Sequence, residues 1–381
     1  MFGPQSAVLL LLLLLGFAGL AYVLARPGIL ALRLGAGTMA FALSAVFGMA
    51  CVNRFYDYYQ TWGDLFDDLS GQQPGLVKIP PGAGLHLKAT GDAATAGQML
   101  SQSFAGAKSG ITRDGLVYLP PEYFQPKYAG VRFPVLELLH GAPGSPGQWE
   151  VNMHTTEIFR DLTLKKKVKP TILVMPLINN SNAGSPGSQC LDAHGELDDT
   201  YLSQDIPALV SAQYRAQPPG PHWGVAGLSE GGFCAANLAL RHPDVFAVAG
   251  VMSGYFSPVP VRGVLPFAGN STLQLANDPV WLATNVKLGQ KLPDFWLMAG
   301  GSDRGDMTNA TDFRAVLAHN SSPVFVQIPR VRHTFGAWRL AYPKLLTWAT
   351  TKLFAGITTD SGAPVTGAAQ PLPSATAPYR R

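Results

Sequence analysis

The chain has 381 residues and a net charge of only +4, and no run of basic residues is longer than the three lysines at 165–167. This charge pattern argues against binding to nucleic acid. Hydrophobic residues make up 47% of the chain and charged residues 14%, a composition that is apolar for a soluble protein. We therefore first locate the apolar segments in the chain.

Two uncharged apolar stretches lie near the start of the chain, at residues 7–25 and 34–52. Each approaches the roughly 20 residues that a membrane-spanning helix needs. A cleaved signal peptide is disfavoured because no Lys or Arg precedes the first stretch and a second stretch follows at once. We therefore expect residues 1–52 to form a transmembrane helical hairpin, with two buried core helices as the alternative.

The arginines predict the orientation of this hairpin. Arg26 and Arg33 lie in the short loop between the two stretches, and positively charged loops stay in the cytoplasm. Both ends of the hairpin, and the chain after residue 52, are then extracytoplasmic. Arg54 opposes this orientation weakly. The expected location is the cell membrane, crossed twice.

Residues 53–107 are predicted to be a connector. Their first part, RFYDYYQTWGDLFDDL, is aromatic and suits a membrane surface, whereas the rest reads mostly as loop. At the other end, residues 356–381 are rich in Thr, Pro, Ala, Gly and Ser and are predicted to be disordered.

Residues 108–355 alternate between strand and helix signals. The predicted strands are 115–119, 131–139, 171–176, 222–227, 248–253, 295–300 and 324–329, and the predicted helices are 201–214, 231–242, 311–319 and 335–353. Short apolar strands alternating with helices indicate an α/β domain with a mostly parallel sheet covered by helices on both faces. A ligand site in such a sheet lies beyond the carboxyl ends of its strands.

Ser229 lies at a predicted strand–turn–helix junction in the pattern G-x-S-x-G, residues 227–231. A serine on such a turn projects beyond the sheet edge near the amino end of a helix, as a nucleophile requires. The alternative is a serine that only caps the helix.

A serine hydroxyl becomes a good nucleophile when a neighbouring base takes its proton. Three histidines follow Ser229 in the chain. His242 ends the helix far from the serine, and His319 precedes a strand and belongs to the opposite sheet edge. His333 follows that strand, and we predict that it is the base.

An acid should orient the imidazole of this base. Asp303 follows the predicted strand 295–300 within GGSDRGD, and it is our prediction, with Asp306 as the alternative. Asp294 precedes that strand and Asp312 belongs to the next helix, so both are disfavoured.

Acyl transfer also needs N–H donors for the oxyanion of the tetrahedral intermediate. One is predicted to be the backbone N–H of Glu230. The other is expected in the turn of VLELLHGAPGSPGQW, at Ala142, with Gly141 as the alternative. The sequence contains no metal-ligand cluster and no dinucleotide-binding fingerprint, so we expect no metal and no cofactor.

These segments together resemble the α/β-hydrolase esterase family, which includes esterase D, feruloyl and enterochelin esterases, and the mycolyltransferases of mycolic-acid bacteria. The resemblance covers residues 111–353 through HGAPG, QDIPALV, GLSEGGFCAANLALRHPDVF, MSGYF, GGSD and RHTFGAW. Within the family, the chain looks most like actinobacterial membrane-anchored esterases. The resemblance implies an α/β-hydrolase fold and a catalytic triad of a serine, a histidine and an acid.

The resemblance also bears on the cysteines. Cys190 and Cys234 fit no metal motif and could be two separate buried thiols. In the membrane-anchored relatives, however, a Cys before TYLSQDIP and a Cys after the serine turn occur together, which implies a Cys190–Cys234 disulfide. Cys51 ends the second apolar stretch and is expected to be a plain apolar residue.

The chain departs from the family at two places. Mycolyltransferases often carry a glutamate as the triad acid, and GGSDRGD has none. Many relatives have Met or Gln after the nucleophile where this chain has Glu230. A carboxylate there would disfavour anionic substrates or favour a cationic one.

The function expected from the sequence is a membrane-anchored, extracytoplasmic serine esterase. An acyltransferase that passes the acyl group to a sugar or lipid hydroxyl is the first alternative, and a non-catalytic envelope interaction module is the second. The expected partners are the membrane and an ester substrate, such as an envelope lipid or a polysaccharide ester, and not nucleic acid.

Overall fold

The computed structural model of the chain describes residues 3–70, 76–79, 87, 91–179, 187–261, 263–286 and 290–357. Of the predicted disordered tail, residues 358–381 lie outside this part.

The chain begins with two antiparallel helices, α1 (Ala7–Ala25) and α2 (Leu30–Tyr56), which are long and apolar enough to cross a membrane. No residue of α1 is buried, and α2 buries little besides small side chains. Such exposure of Leu and Phe side chains is unlike a core helix. The second helix is longer than the predicted 34–52, because its backbone continues past the arginines that bound the uncharged stretch.

A nine-stranded sheet forms the centre of the remaining chain, in the order β1-β2-β3-β5-β4-β8-β9-β10-β11. Its strands are β1 (Val77–Lys78), β2 (Gln98–Ala105), β3 (Thr112–Leu119), β4 (Val135–Leu139), β5 (Ile172–Pro176), β8 (Gly220–Leu228), β9 (Phe246–Met252), β10 (Asp294–Gly300) and β11 (Val324–Ile328); β6 (Asp192–Ala193) and β7 (Glu196–Leu197) form a separate hairpin. Among the described strand pairs of the nine-stranded sheet, β2–β3 and β3–β5 are antiparallel and the others are parallel. The predicted mostly parallel sheet is confirmed.

Helices cover both faces of this sheet. After the hairpin, the helices that the structure describes are α3 (Trp62–Ser70), α4 (Ala93–Ala96), α5 (Gln148–Val151), α6 (Thr155–Leu164), α7 (Asp198–Thr200), α8 (Ile206–Gln213), α9 (Glu230–Arg241), α10 (Ser271–Ala276), α11 (Pro279–Thr284), α12 (Arg304–Leu317) and α13 (Phe335–Leu353), with 3₁₀ turns at Pro121–Phe124 and Pro126–Tyr128 and a π turn at Tyr201–Asp205. Buried side chains of α8, α9 and α12 pack on one face, and those of α6 and α13 pack on the other.

Residues 53–107 are more than a connector, because β1 and β2 extend the sheet by two strands. The sequence of β2, QMLSQSFA, is too polar to read as a buried strand. Its glutamines are nevertheless buried, and Gln102 accepts a hydrogen bond from the hydroxyl of Tyr214. The sheet therefore begins before the predicted domain boundary at residue 108.

Candidate active site

Ser229 occupies the turn between β8 and α9 and has φ 56° and ψ −119°. A non-glycine residue at positive φ is strained by about 1–3 kcal/mol. The flanking glycines permit this turn. A Cβ on Gly227 would lie 2.1 Å from the carbonyl oxygen of Gly231, and one on Gly231 would lie 2.1 Å from that of Leu139. The close packing of strand, turn and helix therefore requires glycine at both positions.

His333 lies between Ser229 and an acid. It follows β11 and directly precedes Thr334, whose side chain caps α13. The Nε2 atom of His333 is 2.9 Å from Ser229 Oγ, and its Nδ1 atom is 3.1 Å from Asp306 Oδ1. When Nδ1 carries the proton, it donates a hydrogen bond to the carboxylate. Nε2 is then free to accept a hydrogen bond from the serine hydroxyl.

The prediction of Asp303 as the partner of His333 is wrong in geometry. Asp303 is the N-cap of α12, where its Oδ1 accepts a hydrogen bond from the backbone N–H of Asp306 at 3.1 Å. The helix begins at Arg304, well before the predicted start at residue 311. Asp306 therefore lies in the first helical turn, from which its nearly buried side chain reaches the imidazole.

A cavity of about 330 Å³ opens beside the serine. Gly141, Ala142 and Pro143, which follow β4, form part of its wall. The backbone of Glu230 begins α9, so its N–H is not used by the helix itself. The predicted donors thus belong to segments that border Ser229. Ala142 and Gly141 both remain candidates for the second N–H.

His140, which the sequence pattern did not single out, is buried directly before Gly141 and Ala142. The backbone N–H of Ile178 donates to its Nε2 at 3.3 Å, and its Nδ1 lies 2.8 Å from the carbonyl oxygen of Gly141. Burial lowers the pKa of His140 to about 4, so the ring is neutral and Nδ1 is the donor. His140 is the first residue of HGAPG, and its place in that turn is the signal that could have identified it.

Glu230 differs from a free surface carboxylate. The side-chain amide of Asn179, in the segment after β5, donates to its Oε1. Burial raises the pKa of Glu230 to about 7, against the opposing effect of this hydrogen bond. The carboxyl group beside the serine therefore changes its charge near neutral pH.

Residues near the end of α2 also line the cavity, which the sequence did not predict. Val52, Tyr56 and Tyr58 form part of its wall. The only signal was the aromatic run around RFYDYY. Trp338 is a further lining residue, and its ring meets that of His333 edge to face at a centroid distance of 4.9 Å.

The predicted disulfide between Cys190 and Cys234 is confirmed. It joins the segment before β6 to α9, the helix that follows Ser229. Cys51 is a free cysteine. Among the residues that the structure describes, no group of three His, Cys, Asp or Glu side chains is arranged to hold a metal ion.

Comparisons with known proteins place this site in context. The model of the family described as "Putative esterase" matches residues 108–335. An endo-1,4-beta-xylanase/feruloyl esterase of Xylanibacter ruminicola is 29% identical over 161 residues, which are 42% of this chain and 22% of that protein. A diacylglycerol acyltransferase/mycolyltransferase of Mycolicibacterium smegmatis is 28% identical over 190 residues, 48% of this chain and 47% of that protein. The chain thus spans less than half the length of these relatives.

The fold is similar to that of solved esterase structures. The structure of a ferulic acid esterase matches with a TM-score of 0.59 and 20% sequence identity, covering 68% of this chain and 99% of the other. At this identity the similarity shows the fold alone, and it confirms the α/β-hydrolase fold expected from the sequence.

Proposed function

Since the chain belongs to the esterase family, we propose that it hydrolyses a carboxylic ester through an acyl-enzyme on Ser229. The observation that carries the proposal is the continuous hydrogen-bonded chain from Ser229 through His333 to Asp306. A nucleophile, a base and an acid in this order can activate a hydroxyl that is otherwise inert at neutral pH.

In the first half-reaction, Ser229 Oγ attacks the ester carbonyl carbon while its proton passes to Nε2 of His333. The carbonyl oxygen becomes an oxyanion, which the backbone N–H groups of Glu230 and of Ala142 or Gly141 would stabilise. Asp306 stabilises the imidazolium and keeps its Nδ1 proton in place. When the carbon–oxygen bond of the ester breaks, Nε2 returns the proton to the leaving alcohol.

In the second half-reaction, water attacks the acyl-enzyme and gives a proton to Nε2 of His333. The second tetrahedral intermediate collapses, the acid leaves, and the proton returns to Ser229 Oγ. The net reaction is an ester plus water giving an alcohol and a carboxylic acid.

The proposal places this reaction at the outer face of a membrane. The apolar side chains of α1 and α2 are exposed in a manner that suits lipid. The loop that joins the two helices begins with Arg26, which favours a cytoplasmic loop. The Cys190–Cys234 disulfide favours an oxidising compartment for the catalytic domain. Arg54, the one opposing charge, donates a hydrogen bond to the carbonyl oxygen of Gln5.

Labelling of the full chain in detergent with a fluorophosphonate probe tests the proposed function. The wild type should be labelled, Ser229→Ala should not, and His333→Ala should react at least about a hundredfold more slowly. His319→Ala is the matched control, because His319 is exposed and contacts carbonyl groups of its own helix. Labelling of Ser229→Ala at the wild-type rate would overturn the mechanism. A wild type that is not labelled would favour the non-catalytic envelope module.

The second candidate function is acyl transfer, favoured by the 28% identity with a diacylglycerol acyltransferase/mycolyltransferase. The acyl-enzyme would be the same, and a sugar or lipid hydroxyl would replace water in the second half-reaction. Turnover with and without a sugar acceptor separates the two. An acyl-sugar product that grows at the expense of free acid indicates transfer, and free acid alone indicates hydrolysis.

A further inference from the structure

The end of the second membrane helix reaches the catalytic cavity. Val52 and Tyr56 belong to α2, and Tyr58 follows two residues later. All three line the cavity that also contains Ser229 and His333. The proposed anchor therefore contributes directly to the wall of the site.

A fixed turn holds these residues in place. Asp57 ends α2 in the left-handed conformation, with φ 57° and ψ 44°, and its N–H donates to the carbonyl oxygen of Asn53 at 2.8 Å. The side-chain amide of Asn53 then bonds to both backbone groups of Tyr59, donating at 3.1 Å and accepting at 2.8 Å. The chain reverses over a few residues and Tyr58 is positioned at the cavity.

Residues of the catalytic domain hold this turn in place by hydrogen bonds. Arg339 of α13 donates to the carboxylate of Asp57 and to its carbonyl oxygen, and also to the carbonyl oxygen of Asn152 at 2.6 Å. Asn152 in turn donates to the carbonyl oxygen of Tyr58 at 2.8 Å. The approach is so close that a Cβ on Gly336 would lie 2.3 Å from the carboxylate of Asp57. Partly buried polar contacts thus hold the hairpin and the domain together.

The wall of the cavity is continuous with the apolar outside of the hairpin. Val52 and Phe55 of α2 are 53% and 57% exposed. Because a helix rises about 1.5 Å per residue, Val52 and Tyr56 lie within about 6 Å of each other along the axis. On the domain side, the ring of Tyr58 packs against that of Phe335, with the ring centroids 5.0 Å apart. An apolar surface therefore leads from the proposed lipid-facing helix to the serine.

We propose that the substrate is a membrane-resident ester with a long acyl chain, which reaches Ser229 from the bilayer along the end of α2. This inference rests on the proposed function. An amphiphile in a bilayer holds its ester group at the boundary between hydrocarbon and water, and the end of a spanning helix lies at the same depth. The carbonyl group can then meet Ser229 while the acyl chain remains against Val52 and Tyr56.

The test uses the full chain in phosphatidylcholine vesicles with two esters of one alcohol, soluble p-nitrophenyl butyrate and bilayer-resident p-nitrophenyl palmitate. The ratio of kcat/KM for palmitate to that for butyrate is measured in the wild type, Val52→Trp, Tyr56→Ala and Met49→Ala. The first two variants change the cavity wall. Met49→Ala is the matched control, because Met49 is exposed on the same helix and does not line the cavity. Labelling by a short-chain fluorophosphonate reports whether each variant is folded.

We expect the wild type to prefer palmitate, and each wall variant to lower the ratio about tenfold while the ratio of Met49→Ala stays within about twofold. A labelled wild type that prefers butyrate, or wall variants with an unchanged ratio, would overturn this inference and leave the esterase proposal intact. An equal loss in Met49→Ala would also overturn it, since the effect would then come from the anchor as a whole. Failure of the wild type to be labelled would instead contradict the proposed function.

Discussion

Asp306 contacts His333 because Asp303 caps the helix that carries Asp306. The Asp303 side chain accepts a hydrogen bond from the backbone N–H of Asp306, and the Asp306 side chain lies 3.1 Å from His333 Nδ1. The two aspartates thus have different contacts. We propose that Asp306 orients the imidazole, while Asp303 fixes the backbone from which Asp306 projects.

Exchange of each aspartate for asparagine should separate these tasks. Asp306→Asn presents an amide to Nδ1 and favours the wrong tautomer, so kcat should fall by about 10⁴. Asp303→Asn retains a good N-cap and should keep kcat within about tenfold of the wild type. The measurement is steady-state hydrolysis of a soluble ester by the full chain in detergent.

Asp303→Ala is the control for the capping role. It removes the N-cap and should lower the free energy of unfolding by about 1 kcal/mol, while His333 keeps its acid. Should Asp303→Asn lose activity by about 10⁴ and Asp306→Asn retain it, the assignment of the acid would be reversed.

The sequence could place Ser229 and His333 at one sheet edge but could not choose between Asp303 and Asp306, for a local reason. Ser229 and His333 follow strands whose ends are clear from the apolar runs, so their sheet edge was predictable. The choice between Asp303 and Asp306 depended on where α12 begins. Arg304 starts the helix, although the residues that follow are too polar to show it. Asp is a favoured N-cap residue, so an interpretation of Asp303 as the cap of a helix that starts at Arg304 would have left Asp306 as the partner of His333.

Local sequence patterns also failed to predict the parts of the fold that depend on contacts between distant residues. The ends of the apolar strands β5, β8 and β10 were predicted to within two residues, because both faces of a central strand are buried. Strand β2 was not predicted because its sequence is polar, and the fold alone brings the hydroxyl of Tyr214 to the buried side chain of Gln102. The contact of α2 with the cavity depends on pairing across more than 280 residues, as between Asp57 and Arg339. Local patterns do not encode such pairs.

Charge selectivity should depend on pH through Glu230. Burial raises the pKa of this carboxyl group to about 7, so it is mostly neutral at pH 6 and mostly ionised at pH 8. Discrimination against esters with an anionic acyl group should therefore increase as the pH rises through 7. Glu230→Gln should make the ratio of kcat/KM for neutral and anionic esters independent of pH.

Stability gives a second readout for Glu230. Because the pKa is raised above its ordinary value of 4.5, the folded state holds a proton that the unfolded state releases. This favourable contribution is present below pH 4.5 and is lost as the pH rises through 7. Glu230→Gln should thus stabilise the protein more at pH 8 than at pH 5, whereas the exposed Glu157→Gln should not. Equal effects of Glu230→Gln at both values would contradict the raised pKa.

The disulfide should stabilise the segment next to the nucleophile helix. Cys190 and Cys234 are 44 residues apart, and closing a loop of this size is worth about 2–4 kcal/mol. Cys190→Ser combined with Cys234→Ser should lower the free energy of unfolding by this amount in denaturant titrations without reductant.

Reductant distinguishes this contribution from simple loss of packing. Dithiothreitol should destabilise the wild type and Cys51→Ser equally, since Cys51 is free. It should have little effect on the double variant. A wild type whose denaturation midpoint does not respond to complete reduction would contradict a stabilising role.

His140 should couple the turn of Gly141 and Ala142 to the rest of the domain. Its neutral ring accepts from the N–H of Ile178 and donates to the carbonyl oxygen of Gly141. His140→Leu would leave both groups buried without partners. The free energy of unfolding at pH 7.5 should then fall by about 1–3 kcal/mol, and kcat by at least about tenfold if the turn supplies an oxyanion donor.

The acid dependence of stability gives the sharper test of a neutral His140. Because burial lowers its pKa from 6.5 to about 4, only the unfolded state takes up a proton between these values. The stability due to His140 is complete above pH 6.5 and is lost as the pH falls toward 4. The wild type should lose about 2 kcal/mol more than His140→Leu between pH 7.5 and pH 5, as measured by urea titration. The exposed His319→Leu should behave like the wild type, and a His140→Leu variant with undiminished acid sensitivity would contradict a buried neutral ring.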